Sequence, residues 1–355
     1  MSQLNTQPRR GATIAAVIPT RDRPTLLDEA IASTLLQTSP PDQIIVVDDG
    51  STTPVDAAAL RRRHGERVTV LRNATNRGLA YSRNLGVEAC SSEFVIHLDD
   101  DDLLAVDAIE DCLSAWRQVP GVELVMFGVE GFGARSGHFN NVQPQGVDNV
   151  IRLAQGTEAA PEIVAFDHRL LPALLQTVPS AFQRVMTRTE IWHKVSALRR
   201  RVYRLDVSVP DDAAARLLIT GPLRDSEFAL YAAAACERTC LVRKPLYLAR
   251  CEGQGGSSQP AMRMTHTAQS VNIKTALLRG AEALDELRPF HRSIRDNLAT
   301  VHFDAAYQLG DVAQYRAALG HLAASFRLHP QWRQLRLLGR LGLRRMAPHP
   351  ADRGT

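Results

Sequence analysis

Four carboxylates in a row, Asp99, Asp100, Asp101 and Asp102, follow the apolar run Phe94-Val95-Ile96-His97-Leu98. The run is short enough to be a buried strand, so the acids fall where that strand ends. Crowded like charges repel, and such a cluster calls for a counter-charge. Two carboxylates spaced i, i+2, as Asp99 and Asp101 are, can share a divalent cation with a diphosphate. Mg²⁺ and Mn²⁺ sites commonly combine hard oxygen ligands with substrate phosphates. The same residues also suit an acidic, solvated loop, or the N-cap of a helix beginning near Leu103.

The elements ahead of the acids decide where they sit. Thr13 to Ile18 reads as a buried strand ending at Pro19-Thr20-Arg21, and Gln43 to Val47 as a second that ends in Asp48-Asp49-Gly50-Ser51. Apolar residues at helical spacing over Thr25–Gln37, and a further helix from Val55 to His64, separate these from a third strand at Val68–Leu71. Strands alternating with helices, and nearly continuously apolar, predict a largely parallel sheet covered on both faces. Ligands of such sheets sit beyond the carboxyl ends of the strands, where Thr20, Asp49 and the four acids all fall.

Between the third strand and the acids lies Asn76-Arg77-Gly78, followed by a helix over Ala80–Cys90 that carries Arg83. A helix start with two arginines is a favourable place for phosphate. Arg77 and Arg83 serve equally well as surface salt-bridge partners. No GxGxxG follows the first strand, which argues against a dinucleotide enzyme.

At 355 residues, 45% hydrophobic and 23% charged, the chain is a globular protein of one large or two ordinary domains. A net charge of +4 does not argue for nucleic acid. Five scattered cysteines without a CxxC pair suit a reducing cytoplasm. The polar stretch 1–11 reads as a disordered leader, without the apolar run of a signal peptide. No window is apolar for long enough to span a membrane.

Val17-Ile18-Pro19-Thr20-Arg21, Ile45 to Ser51, Asn76-Arg77-Gly78 with Ala80 to Gly86, and His97 to Leu103 together resemble the family-two glycosyltransferases in order and spacing. The resemblance is dense over roughly the first 110 residues and weaker to about Ser258. It implies an α/β GT-A (Rossmann-like) fold, a mostly parallel sheet flanked by helices, over residues 12–260. It also implies an inverting transfer from a nucleotide-sugar donor, most simply a UDP-sugar. Pro19, Thr20 and Arg21 would line the nucleoside pocket, and Asp49 would hydrogen-bond the base. Arg77 and Arg83 would lie near the base or the phosphates. Asp100 would approach the ribose, and Asp101 would ligate a Mn²⁺ or Mg²⁺ ion, with Asp99 supporting it.

The family's general base maps to Asp225, with Glu227 as the alternative. Arg224 stands where the family usually has Glu, and its charge beside Asp225 would weaken a base. Cys251 and Glu252 stand where the family often has His, ahead of a loop at Gly253–Ser258 that could close over the donor. Residues 131–180 are expected to supply acceptor-facing loops, and Val209–Ala215 to approach the catalytic loop. The acceptor implied is a glycan or glycolipid of the cell surface, built at the cytoplasmic face. Other readings of the acid-lined sheet are a nucleotidyltransferase, though Pro19 to Pro24 lacks the glycine-rich loop, and a nucleotide-sugar-binding scaffold without a base.

From 261 to 347 the chain turns to Ala, Leu and Arg and reads as a C-terminal α-helical segment, with 348–355 a tail. Ala305–Asp311 and Tyr315–Pro330 resemble a single tetratricopeptide-like pair. A last helix, Gln331 to Met346, places Trp332, Leu335 and Leu338 on one face and repeats Arg333, Arg336, Arg340 and Arg344. Such a helix either docks on anionic lipid or covers the core as a solvated helix.

Overall fold

The computed structural model describes residues 11–205, 224–252 and 260–346. Four strands set the frame: β1 (Ile14–Thr20), β2 (Gln43–Asp48), β3 (Val68–Arg72) and β4 (Phe94–His97), all mutually parallel in the order β3-β2-β1-β4. β1 is the hinge of the topology. The chain winds outward on one side of it through β2 and β3, then returns to add β4 on the other. That reversal opens a crevice between the carboxyl ends of β1 and β4, the place where doubly wound sheets take ligands.

Why these strands pack is visible in their side chains. Every residue of β1 is buried, as are Ile44 to Asp48 in β2 and all of β4, which is the continuous apolar pattern of a sheet covered on both faces. The helices α1 (Pro24–Leu35), α2 (Ala57–His64) and α3 (Leu79–Glu88) make the crossovers. Helix α1 buries Leu27, Ala30, Ile31 and Thr34, one face at helical spacing, and starts with proline in its first turn. Helix α3 lies so close to the sheet that a Cβ on Gly86 would come within 2.4 Å of Val17 Cγ1. Gly50 has φ +72°, and a Cβ there would lie 2.7 Å from the backbone nitrogen of Asn76. Only glycine lets these two loops touch.

Beyond β4 the same sheet continues with β9 (Val185–Arg188), β6 (Leu124–Phe132), β10 (Thr239–Arg250), β8 (Ile163–Phe166) and β7 (Thr157–Ala160). β9 is antiparallel to β4 and β6, whereas β6 and β10 are parallel. Among the described residues, helices α4 (Ala108–Gln118), α5 (Ser136–Leu153), α6 (Leu170–Leu174), α7 (Thr189–Arg204) and α8 (Arg224–Ala235) also belong to this part of the chain. One expectation is corrected here. No helix starts at Leu103: Leu103 and Leu104 form a short strand, β5, antiparallel to Leu248 and Tyr247 of β10, and α4 begins at Ala108. Within the stretch 131–180, α5 runs 18 residues with Pro144 inside it. Its Gly, Asn and Gln residues hide a helix that buries only Val150, so the apolar periodicity that marks a helix is nearly absent.

The chain divides into two compact units, Met1–Gly255 and Gly256–Thr355. The second is helical: α9 (Pro260–Ala283), α10 (His291–Asp311), α11 (Tyr315–Leu328) and α12 (Trp332–Met346). Its core gathers Ala306, Ala318, Leu322, Leu337 and Leu341. The inward face of α12 is therefore Gln334, Leu337 and Leu341, while Trp332, Leu335 and Leu338 are exposed. No described helix is long and apolar enough to cross a membrane.

Candidate active site

The crevice between β1 and β4 is closed by one buried hydrogen bond. Thr20 Oγ1, at the end of β1, donates to Asp100 Oδ2 at 2.6 Å. Burial pushes the Asp100 carboxyl above its usual value, against the pull of Thr20 and Arg23. Arg23, at the start of α1, reaches over with one nitrogen to Asp100 Oδ1 (3.1 Å) and Asp101 Oδ2 (2.7 Å). Sequence reasoning overlooked Arg23, although it sits three residues after Thr20 on the same strand-to-helix turn. Asp101 is the most accessible of the four acids, with its side chain 37% exposed. Asp102 turns inward and accepts from the backbone N–H of Arg250 at 2.7 Å. Burial, with the charge of Asp99 added, pushes Asp102 up to about 6.

Among the described residues no group of three or more His, Cys, Asp or Glu side chains is arranged to hold a metal alone. The residues present fit a different kind of site. A single accessible carboxylate at Asp101, beside a nucleotide that brings its own phosphate oxygens, is how Mg²⁺ and Mn²⁺ are often held.

Asp49 lies one strand over, at the end of β2, and its carboxylate shapes the loop before α3. Oδ1 accepts from Asn73 Nδ2 (2.8 Å) and the N–H of Arg77 (2.7 Å), and Oδ2 accepts from the N–H of Gly78 (2.7 Å). These bonds fix the turn that starts the helix. The Arg77 side chain is exposed and its guanidinium rests 4.3 Å from the centre of the Tyr81 ring. Pro19 is buried in β1 and Arg21 is exposed beside Asp22.

The acids and Asp225 meet through two arginines. Arg83, on α3, donates to Asp225 Oδ1 through Nη1 and to Asp99 Oδ1 through Nη2 at 2.7 Å. Arg184, just before β9, donates to Asp225 Oδ2 at 2.7 Å and approaches Asp99 Oδ2 at 3.3 Å and Asp102 Oδ2 at 3.9 Å. The Arg184 guanidinium also lies 4.5 Å from the centre of the Tyr247 ring. Both oxygens of Asp225 are thus engaged. Burial alone would raise its proton affinity, but the charges of Arg83 and Arg184 outweigh burial and hold the carboxyl well below the usual carboxylate range. Arg83 and Arg184, from α3 and from the residue before β9, are the cause of that lowering. Arg184 carries no local sequence signal, since the residues it joins lie 41 and 85 positions away.

An aromatic stack fixes α8 relative to the strand of acids. His97 of β4 lies 4.1 Å from Trp192 of α7, ring centre to ring centre, and Trp192 lies 4.3 Å from Phe228 of α8. Both His97 ring nitrogens are buried without a partner, and burial, aided by Arg83, keeps the ring neutral. His97 is a spacer rather than a ligand. Glu227, the alternative base, is 3% exposed and held by Arg199 and Tyr203 of α7. Its oxygens are spent on the junction of α7 and α8. The segments Val209–Ala215 and Gly253–Ser258 lie outside the described residues. A cavity of about 340 Å³ between α5, β6 and β10, lined by Asn140, Gln143, Asp148 and Arg243 among others, includes none of the expected site residues.

Residues 15–155 match the family model described as "Glycosyl transferase family 2". A succinoglycan biosynthesis protein, ExoW of Rhizobium meliloti, is 30% identical over 151 residues, 41% of this chain and 46% of that protein. Three further relatives named as glycosyltransferases align over 37%, 16% and 16% of their own lengths, so the chain spans less than half of these relatives. Among solved structures, residues 1–349 of Staphylococcus aureus TarS in complex with UDP-GlcNAc superpose with TM-score 0.52 at 16% identity, covering 90% of this chain and 89% of that one. A mannosyltransferase of Pyrobaculum calidifontis in complex with GDP-Man and Mn²⁺ superposes with TM-score 0.50 at 17% identity, covering 97% of this chain and 84% of that one. The fold is that of the GT-A glycosyltransferases.

Proposed function

Because residues 15–155 match the model of glycosyl transferase family 2, we propose that the chain moves a sugar from a nucleoside-diphosphate sugar to an acceptor hydroxyl, with inversion at the anomeric carbon. The observation that carries this reading is the meeting of the two halves of the reaction at one crevice. Thr20, Asp100 and Asp101 end β1 and β4, and Asp225 is tied to Asp99 in the same acid run through Arg83 and Arg184.

In this reading the nucleoside lies along Pro19 to Arg21 and the loop that Asp49 holds, with Asp100 toward the ribose. Asp101 would hold Mn²⁺ or Mg²⁺, which neutralises charge developing on the diphosphate as it leaves. Asp225 takes the proton of the attacking hydroxyl, as an inverting displacement requires. The neighbour complexes contain UDP-GlcNAc in one case and GDP-Man with Mn²⁺ in the other, and a UDP-sugar is our first choice of donor. The acceptor is a cell-surface glycan or glycolipid, a reading that the name of the ExoW relative supports. The exposed face of Trp332, Leu335 and Leu338, beside Arg333 and Arg336, suits contact with the cytoplasmic surface of an anionic membrane.

The clamp on Asp225 gives weight to a second reading, a nucleotide-sugar-binding scaffold that has no working base. Release of nucleoside diphosphate from a panel of UDP-, GDP-, CDP- and TDP-sugars with Mn²⁺ separates the two. Turnover by the wild-type protein that disappears in Asp225→Asn, with nucleotide binding retained, is the result expected of the enzyme. Binding without turnover of any donor is the result expected of the scaffold.

A further inference from the structure

Arg184 touches both sides of the site. One guanidinium spans Asp225 on α8, Asp99 and Asp102 at the end of β4, and the Tyr247 ring of β10. Its Nε is buried without a partner, as is that of Arg83. Around these two cations stand three carboxylates, Asp99, Asp102 and Asp225, so the arginines are shared, and each carboxylate competes for them. An incoming diphosphate carries more negative charge than any one carboxylate and accepts a forked guanidinium in the same way.

We propose that Arg184 is a positioning residue that couples the donor site to the base. In the resting protein it holds Asp225, and when the donor binds it turns to the diphosphate, leaving Asp225 paired with Arg83 alone. This inference rests on the reading of Asp225 as the base. The step it prepares is balanced: the acceptor oxygen bonds to the anomeric carbon and the bond from that carbon to the diphosphate oxygen breaks. The bonding pair leaves on the diphosphate, and the hydroxyl proton passes to Asp225. A carboxylate gripped by two arginines is a poor acceptor for that proton; one gripped by a single arginine is a better one. The protein thereby withholds its base until a donor is present, and the acceptor hydroxyl is not activated without one.

Among the described residues, the groups facing Asp225 are Arg83 from α3, Arg184, and the neutral His97 of β4, with Asp99 behind both arginines. On its own helix Glu227 is already paired with Arg199 and Tyr203. Of these, Arg184 is the cation that also reaches Asp102.

A binding cycle tests the coupling without turnover. UDP affinity is measured in the presence of Mn²⁺ for wild type, Asp225→Asn, Arg184→Gln and the double variant. If Asp225 competes with the diphosphate for Arg184, Asp225→Asn binds UDP at least fivefold more tightly than wild type. That gain vanishes when Arg184 is also removed, as a double-mutant cycle isolates. Unchanged or weaker binding by Asp225→Asn overturns the proposal. So does a gain that persists without Arg184, since it would reflect only the lost negative charge.

A second readout is the pH profile. The acid limb of kcat, measured on the donor-bound protein, lies at least 1 pH unit above that of kcat/KM for the donor in wild type, and the two limbs coincide in Arg184→Gln. Arg184→Lys, which keeps the charge and loses the fork, falls between and guards against a folding defect. Equal limbs in wild type overturn the coupling. Transfer that survives in Asp225→Asn overturns the assignment of the base itself, a different result from either.

Discussion

Thr20 and Asp100, 80 residues apart in sequence, share a 2.6 Å hydrogen bond that closes the ends of β1 and β4 around the crevice. Thr20 is 4% exposed and Asp100 6%, so water does not replace the donor if it is lost. Thr20→Val keeps the shape and deletes the hydroxyl. We expect a loss of about 1–3 kcal/mol in stability by urea denaturation, together with weaker UDP binding. Unchanged stability would mean that Asp100 relaxes toward Arg23 without cost.

Arg23 bridges Asp100 and Asp101 with a side chain that is half exposed. A cation bound at Asp101 must share that carboxylate with it or displace it. Arg23→Ala is therefore expected to raise apparent Mn²⁺ affinity several-fold, read from the Mn²⁺ dependence of UDP binding. Lower Mn²⁺ affinity would show that Arg23 supports the metal site rather than competing with it.

Much of this arrangement is legible in the sequence, and the reason is local. β1, β2 and β4 are nearly continuous apolar runs, and their ends are marked by Thr20, Asp49 and Asp99. What escapes is whatever depends on distance or on weak amphipathicity. Helix α5 buries only Val150 and carries Pro144, so its polar composition reads as loop. Leu103 looks like a helix start until its partner, Leu248 in β10, is known. The Trp332, Leu335 and Leu338 face of α12 is apolar and yet exposed, because Leu337 and Leu341 do the packing. Asp225 is readable through its family motif, whereas the arginine that grips it from before β9 is not.

Glu227 separates structural from catalytic acids. It pairs with Arg199 in a setting where both residues are almost wholly buried. Glu227→Gln removes one charge of this buried pair, and we expect a loss of about 3–5 kcal/mol. Transfer per folded molecule should nonetheless survive at low temperature, in contrast to Asp225→Asn. Complete loss of transfer in folded Glu227→Gln would return Glu227 to the role of base.

The helical unit should be acid-sensitive. His302 Nδ1 and His321 Nδ1 lie 2.8 Å apart between α10 and α11. Burial, with His321 and Arg327 adding to it, lowers His302 to about 4. A folded-state value below the unfolded one means that the stability is present above pH 6.5 and is lost as pH falls through 4. The loss accumulates between pH 6.5 and pH 4. His302→Gln should flatten the dependence of the unit's unfolding on pH over this range, followed by circular dichroism. An unchanged slope would place the acid sensitivity elsewhere.

The most direct test of the central claim is nucleotide binding with and without metal, by calorimetry, on wild type and Asp101→Ala. The account predicts that wild type binds UDP or GDP markedly more tightly with Mn²⁺ than without it, and that Asp101→Ala loses the metal-dependent part. Nucleoside diphosphate binding that is absent in a folded wild-type protein, or that responds to Mn²⁺ equally in Asp101→Ala, would contradict a donor site at the ends of β1 and β4.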